Sequence, residues 1–356
     1  MPESGMNYAP KGKPNKVCKE GEFAFAAVSL DHGHIYGMSN GLLEAGAQLK
    51  WVYDPDPAKV EKFCKTFPQA KVARSEDEVL SDSSVQLVAG AAITSERCAL
   101  GLRVMDAGKD YFTDKAPLTT LEQLQQAKDK VRETGKKYAV YYSERLHVES
   151  AVFAGQLIEQ GAIGRVVQVI GLGPHRLGQG RPNWFFEKSQ YGGILCDIGS
   201  HQIEQFLYYT GANDATVQYS RLANYNHKDH PNFEDFGDAA LVADNGAAGY
   251  FRVDWFTPDG LGTWGDGRLF IQGTEGYIEL RKYIDIARDL QCDHVYLVNK
   301  EKEQYIPVSG KVGYPFFGNL ILDCMNRTET AMTQEHAFKA AELCVKTQMQ
   351  AVQIEG

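Results

Sequence analysis

Asp197 and His201 stand four residues apart, shortly after the glycine pair Gly192 and Gly193. Four residues is about one helical turn, so on a helix both side chains fall on one face. A carboxylate beside an imidazole can fix the ring tautomer and raise its basicity, which is what a proton-transfer step requires. The same spacing also suits a plain capped amphipathic helix whose Ile203, Phe206 and Leu207 face a core. The chain upstream favours the chemical reading, because it has the form of a dinucleotide-binding unit.

That unit must be built from strands and helices in alternation. Phe23–Leu30 is an apolar run suited to a strand buried on both faces, and Gln48–Asp54 and Val85–Ala92 are similar. A short strand at Val72 and strands at Asp110–Lys115 and Lys137–Ser143 complete six. Helices are predicted over Ile35–Ala45, Pro57–Phe67 behind an Asp56 cap, Glu96–Ala107, and from a Thr120/Gln123 cap to Gly135; Ser75 and Glu78 read as a capping box. Six strands alternating with helices imply an α/β, doubly wound parallel sheet. Past about residue 145 the pattern becomes a helix at Val148–Gln160, a strand at Arg165–Gly173, and consecutive strands around turns such as Asn245-Gly246. The expected organisation is a flexible tail over 1–20, a Rossmann domain over 21–145, and an α+β domain over 146–356 with a large, open, mostly antiparallel sheet.

A dinucleotide turn normally reads G-x-G-x-x-G, and here Ser29, Asp31 and His34 occupy the glycine positions. Gly33 and Gly37 are present but out of register. Helix N-termini bind phosphate through main-chain N–H groups whatever the side chains, so the start of the helix at Ile35 is the expected pyrophosphate site. Gly33 would allow close backbone approach, His32 or His34 would add a hydrogen bond, and Asp31 should point away from the phosphates. Asp54 at the end of the second strand can bind the ribose hydroxyls and reject a 2′-phosphate, favouring NAD over NADP. Its alternative reading is a turn residue before Pro55. The His32-Gly33-His34 pair raises the question of a metal, but no third ligand lies nearby at a metal-site spacing, so none is expected.

Residues 107–118 (AGKDYFTDKAPL) resemble the AGKHVxxEKPL segment of the Gfo/Idh/MocA oxidoreductases, the family of glucose–fructose oxidoreductase and inositol dehydrogenase. Residues 192–204 resemble its GGxLxDxGxHxxD segment, and Ala92–Glu96 takes the place of its TPN loop. The resemblance implies a Rossmann domain followed by a domain whose open sheet makes homodimers or homotetramers. It implies catalytic roles for Lys115, Asp197 and His201, with Ala92, Thr94, Ser95, Asp114 and Lys115 near the cofactor. Asp114 replaces the usual glutamate, Ala116 displaces the proline to Pro117, and Glu204 replaces an aspartate, which marks a divergent subgroup. The chemistry agrees: oxidising a secondary alcohol takes a base for the hydroxyl proton and an acceptor for the hydride. Lys115 would hydrogen-bond the hydroxyl and His201 would take its proton, with Asp197 orienting the ring or gripping a second hydroxyl.

The long segment Gly171–Phe186 gathers His175, Arg176, Arg181 and Trp184, a set suited to a carbohydrate, although its aromatic residues also suit a domain junction. Asp254, Trp255 and Trp264 form a second candidate wall, and Ser143-Glu144-Arg145 reads best as a hinge ion pair. A formal charge of −9 without Lys/Arg-rich runs makes nucleic acid and anionic membranes poor partners. Seven scattered cysteines without a CxxC pair point to a reducing, cytoplasmic setting. The expected activity is NAD(H)-dependent oxidation or reduction of a sugar or polyol. Two alternatives use the same residues: an NAD-dependent glycosidase working by transient oxidation and elimination, and a non-catalytic sugar-binding protein with a decayed cofactor site.

Overall fold

Alanine-rich β1 (Ala24–Val28) has no exposed residue, and the parallel sheet forms around it. The computed structural model describes residues 14–290 and 293–355. In chain order β1 is followed by α1 (His34–Glu44), β2 (Gln48–Tyr53), α2 (Pro57–Thr66), β3 (Lys71–Val72) and α3 (Glu76–Ser81). Then come β4 (Leu87–Gly90), α4 (Arg97–Asp106), β5 (Asp110–Asp114), α5 (Leu121–Thr134) and β6 (Tyr138–Tyr141). The sheet order is β3-β2-β1-β4-β5-β6, and every pairing is parallel. Strand order reverses beside β1, so the turn after β1 lies at the switch point where such sheets bind ligands. The Asp56, Ser75 and Thr120 caps form, and Gly135 closes α5 at φ +64°. The capping box is modified: Glu78 reaches back to the N–H of Arg74, not that of Ser75.

The chain divides into two compact units. One holds the described residues up to Tyr141 together with Gly313–Phe338; the other holds Tyr142–Val312 and the described residues from Lys339 onward. This differs from a single boundary at 145. The returning helix Pro315–Asn326 carries Phe316, 5.8 Å from the Phe112 ring, and Phe317, 6.1 Å from that of Tyr141. Arg327 just past it pairs with Asp110 at 2.7 Å. Of the expected tail, residues 1–13 lie outside the described residues. The remainder is tied down, since the Val17 N–H donates to the Ala45 carbonyl at 2.9 Å.

In the other unit α6 (Ser143–Leu146) and α7 (Glu149–Glu159) precede β7 (Val166–Pro174). Next come α8 (Lys188–Tyr191), α9 (Ile194–Asp197), α10 (Gly199–Thr210), β8 (Ala215–Ala223), β9 (Phe236–Ala243) and β10 (Ala248–Asp254). β11 (Arg268–Gly273), β12 (Gly276–Arg281), β13 (His294–Asn299), β14 (Glu303–Pro307) and β15 (Val352–Gln353) complete a sheet ordered β14-β13-β12-β11-β7-β10-β9-β8-β15. Only β7–β10 and β8–β15 are parallel, so this sheet is mostly antiparallel, and the Asn245-Gly246 hairpin joins β9 to β10. Among the described residues no helix is long and apolar enough to cross a membrane.

The left-handed residue after β1 is Ser29, at φ +53°; Gly33 has an ordinary right-handed φ of −63°. The conformational demand that glycine usually meets in this turn therefore falls on a serine. Ser29→Gly should be tolerated, whereas β-branched Ser29→Val should lower stability by about 1–2 kcal/mol in urea unfolding. Equal stability of Ser29→Val and the parent would refute this account of the turn.

Candidate active site

Lys115 follows β5 directly and is 4% exposed, which sets it apart from a surface loop lysine. Its main chain is clamped. The Lys115 N–H donates to Asp114 Oδ1 at 2.7 Å, and Arg97 Nη1 donates to the carbonyls of Lys115 and, at 2.9 Å, Ala116. Arg97 is 1% exposed and also bonds the Ala92 carbonyl and Asp114 Oδ2, at 2.8 and 3.1 Å. One guanidinium thus ties the end of β5 to the loop after β4. Nothing in the sequence singled it out, since an arginine opening a helix usually reads as a solvated charge.

Asp114 is fully buried between His32 and His34, whose Nδ1 atoms lie 2.9 and 2.8 Å from its two oxygens. The shorter carboxylate contact takes the His32 Nδ1 proton, so the His34 N–H, 3.3 Å from the same nitrogen, makes a contact and not a bond. Here the structure corrects the metal argument. A third group does join the histidine pair, 80 residues along the chain from His34, and the three offer ligand atoms within 4.8 Å. The carboxylate is nevertheless fully served by two imidazoles, Arg97 and the Lys115 N–H, and the permanent Arg97 cation opposes a metal ion. Burial works to raise the Asp114 carboxyl, but the charges of His34 and Arg97 and the hydrogen bond from His32 outweigh it and hold it well below the usual range.

Burial, against the pull of Asp114, holds the His32 imidazole down at about 3. Unfolded, the ring takes a proton near 6.5. The unfolded chain therefore binds the extra proton between these values, and stability from this residue is present above 6.5 and lost as pH falls toward 3. His32→Asn should flatten the urea-unfolding profile across that interval by up to a few kcal/mol. An unchanged slope would show that His32 is not buried neutral.

The phosphate turn differs from expectation in its donors. The Ile35 and Tyr36 N–H groups point to the carbonyls of His32 and Gly33, at 3.2 and 3.1 Å, because the helix starts with a tight turn. The N–H groups of Ser29, Leu30 and His32 are also engaged, with Tyr53, Asp54 and Ala91. The Ile35 side chain lies in the core. Asp31 pairs with Lys59 at 2.6 Å. Asp54 accepts from Leu30 N–H at 2.6 Å and Asp56 N–H at 2.8 Å, so it braces the turn. A carboxylate has about four lone-pair sites, and two remain for ribose hydroxyls. Beyond β4, Thr94 is buried, and the Ser95 carbonyl accepts from Gln123 at 2.9 Å.

In the other unit Asp197 and His201 are 7% and 1% exposed, but they lie on successive helices. The break arises because the Ser200 hydroxyl takes the Asp197 carbonyl at 2.7 Å, while the His201 N–H turns to the Ile198 carbonyl at 3.1 Å. Glu204 pairs with Arg145 inside this unit, so Arg145 is not a hinge contact. Glu144 does not share that pair. It binds Lys282 at 2.8 Å, a lysine with no exposed surface, in a partnership 138 residues apart that no local pattern signals.

The aromatic loop is sorted by the structure. His175 lies edge-on to Trp264 and Trp255, at centroid distances of 4.5 and 5.5 Å. Arg181 stacks on Phe185 and Trp255 at 4.4 and 4.8 Å, and burial pulls its guanidinium down to about 10 against the charge of Asp197. Arg176 is removed from the substrate set: its guanidinium binds the carbonyls of Pro258, Leu261 and Thr263 and holds that loop. Trp184 lies in a short 3₁₀ turn against Phe185.

Residues 32–142 match the oxidoreductase family with an NAD-binding Rossmann fold, and residues 152–279 match the GFO/IDH/MocA C-terminal domain. The chain belongs to the Gfo/Idh/MocA family of oxidoreductases. It is similar to the scyllo-inositol 2-dehydrogenase (NAD(+)) of Bacillus subtilis (strain 168), 29% identical over 65% of this chain and 66% of that one. It is 27% identical to the D-xylose dehydrogenase of Paenarthrobacter nicotinovorans over 40% of this chain and 38% of that one. Both alignments span less than two thirds of the relative's length. A solved structure from Erwinia carotovora atroseptica SCRI1043, provisionally described as an oxidoreductase, is 54% identical, covers 94% of this chain and 100% of its own, and superposes with a TM-score of 0.92.

Proposed function

We propose that this protein is an NAD(H)-dependent dehydrogenase acting on a secondary alcohol of a sugar or polyol. The observation that carries the reading is the burial of Lys115, Asp197 and His201, which fall within the segments that match the two domains of the family. The turn Ser29–His34 fits a dinucleotide through its left-handed Ser29 and its neutralised Asp31, and Asp54 fits through its spare lone pairs. A carboxylate at Asp54 repels a 2′-phosphate, which favours NAD over NADP. Bound NAD supplies the hydride acceptor.

The chain's own residues handle the proton. Lys115 donates a hydrogen bond to the substrate hydroxyl oxygen, His201 takes its proton, and Asp197 orients the imidazole or holds a second hydroxyl. Arg181 and Trp255 supply a cation and an aromatic face for a sugar ring. We assign self-association to the open face of the nine-stranded sheet, where Tyr219, Tyr250, Phe270, Tyr277 and Tyr296 are left at least partly exposed; sedimentation of the purified protein tests it.

NAD binding by calorimetry and NADH formation against a panel of inositols, pentoses and hexoses test the main reading. Absence of both NAD binding and NADH formation would refute it. Glycoside cleavage without net NADH would assign the same residues to oxidation–elimination.

A further inference from the structure

Glu144 is 2% exposed, and its two carboxylate oxygens are treated differently. Oε2 is fixed: Lys282 Nζ reaches it at 2.8 Å and Gln202 Nε2 at 3.2 Å. Lys282 also donates to Gln205 Oε1 at 2.7 Å, and Gln205 Nε2 donates to the His201 carbonyl at 2.7 Å. Oε1 is buried and receives no hydrogen bond among the described residues. The imidazole facing it, His175 Nε2, is 3.7 Å away, outside hydrogen-bond reach. The His175 Nδ1 lies 3.1 Å from the Gly173 carbonyl. Beside them Gln202 Oε1 is likewise buried without a donor, pressed so close to Gly171 that a Cβ there would come within 2.1 Å. Buried acceptors without donors carry a full desolvation penalty, and a buried carboxylate oxygen carries the largest.

Lys282 prevents the usual escape, which is protonation. Burial works to raise the Glu144 carboxyl, but the charges of Lys282, His201 and His175 outweigh it and keep the group ionised. The site therefore holds an ionised oxygen with no hydrogen-bond donor in reach among the described residues. Hydroxyl groups of a polyhydroxylated ligand are donors of that kind, and the Trp255 and Trp264 rings beside His175 supply apolar surface for a sugar's C–H face.

We propose that Glu144 Oε1 is a substrate-binding acceptor that takes a hydrogen bond from a hydroxyl other than the one oxidised, so that the substrate is a polyol or sugar and not a monohydric alcohol. The inference rests on the sugar-dehydrogenase reading and narrows it to one subsite. Lys282 and Gln205 are positioning residues, since they act through Glu144 and the His201 backbone.

The test measures binding separately from turnover. The protein is titrated with scyllo-inositol, D-xylose, and D-glucose with its 2-, 3- and 6-deoxy analogues, by saturation-transfer NMR with and without NAD, alongside steady-state kinetics. Glu144→Gln should weaken polyol binding and raise KM roughly ten- to a hundred-fold, with a much smaller change in kcat, because a charge-assisted hydrogen bond of ground-state binding is lost. One deoxy analogue should bind the parent poorly yet bind Glu144→Gln as well as its hydroxylated counterpart does. The double variant Glu144→Gln with Lys282→Gln removes both buried charges together, so it provides a folded comparison should the single variant unfold; it should show the same loss. Unchanged KM and unchanged deoxy discrimination in a folded variant overturn the inference, and mean that water alone serves Oε1. Failure of the parent to bind any polyol also overturns it. Polyol binding that depends on Glu144, without NADH formation, upholds the subsite and overturns the dehydrogenase reading instead.

Discussion

Lys115→Ala and His201→Ala should each lower turnover by ~10²–10⁴-fold, the usual contribution of a positioned acid–base group. The two variants should differ in what else they change. His201 belongs to the antiparallel-sheet unit, so its removal should leave NAD affinity at the parental value. The pH profile of kcat/KM should lose its limb governed by base ionisation, because the proton acceptor is gone. Lys115 follows β5 in the parallel-sheet unit, where its backbone is fixed by Arg97 and Asp114 independently of the side chain. The alanine variant should therefore keep the strand end in place and lose the hydrogen bond to the reacting hydroxyl. Parental turnover in either variant would remove that residue from the reaction.

Arg97→Met should destabilise the parallel-sheet unit by about 3–5 kcal/mol, the cost of leaving a buried charge without its partner. Asp114 would keep its two histidines but lose its permanent cation, and the carbonyls of Ala92, Lys115 and Ala116 would lose a common donor. Arg97→Lys should recover little, since one ammonium cannot reproduce a planar fork that reaches four acceptors. Urea unfolding followed by far-UV circular dichroism measures this. A loss below about 1 kcal/mol would show that the guanidinium is peripheral to the fold.

Alternating apolar runs, caps and breakers located all six strands of the parallel sheet, and the Asn245-Gly246 hairpin, because those signals are local. Asp56, Ser75, Thr120 and Gly135 do in the structure what their types predict in the sequence. Local rules mislead where a side chain has a distant alternative partner. Arg176 has the type of a substrate anchor, yet three carbonyls more than eighty residues away occupy it. Gly33 stands in the turn, yet Ser29 takes the left-handed conformation.

What the sequence by itself determined is therefore the order and type of the elements, the α/β class, and the two motifs that place Lys115, Asp197 and His201 in a known family. These depend on periodicity, turn chemistry and residue identity along the chain, which a linear reading samples directly. Only the tertiary structure decided which charges meet: His32 and His34 with Asp114, Arg97 with the β5 end, and Glu144 with Lys282. It also decided that Gly313–Phe338 returns to the parallel sheet. Buried charges cannot remain unpaired, so each must find a partner, but the low dielectric that enforces pairing exists only once the chain has closed around them. The identity of that partner is set by the fold, across 80 residues for His34 and 138 for Lys282, and no local pattern in the sequence carries it.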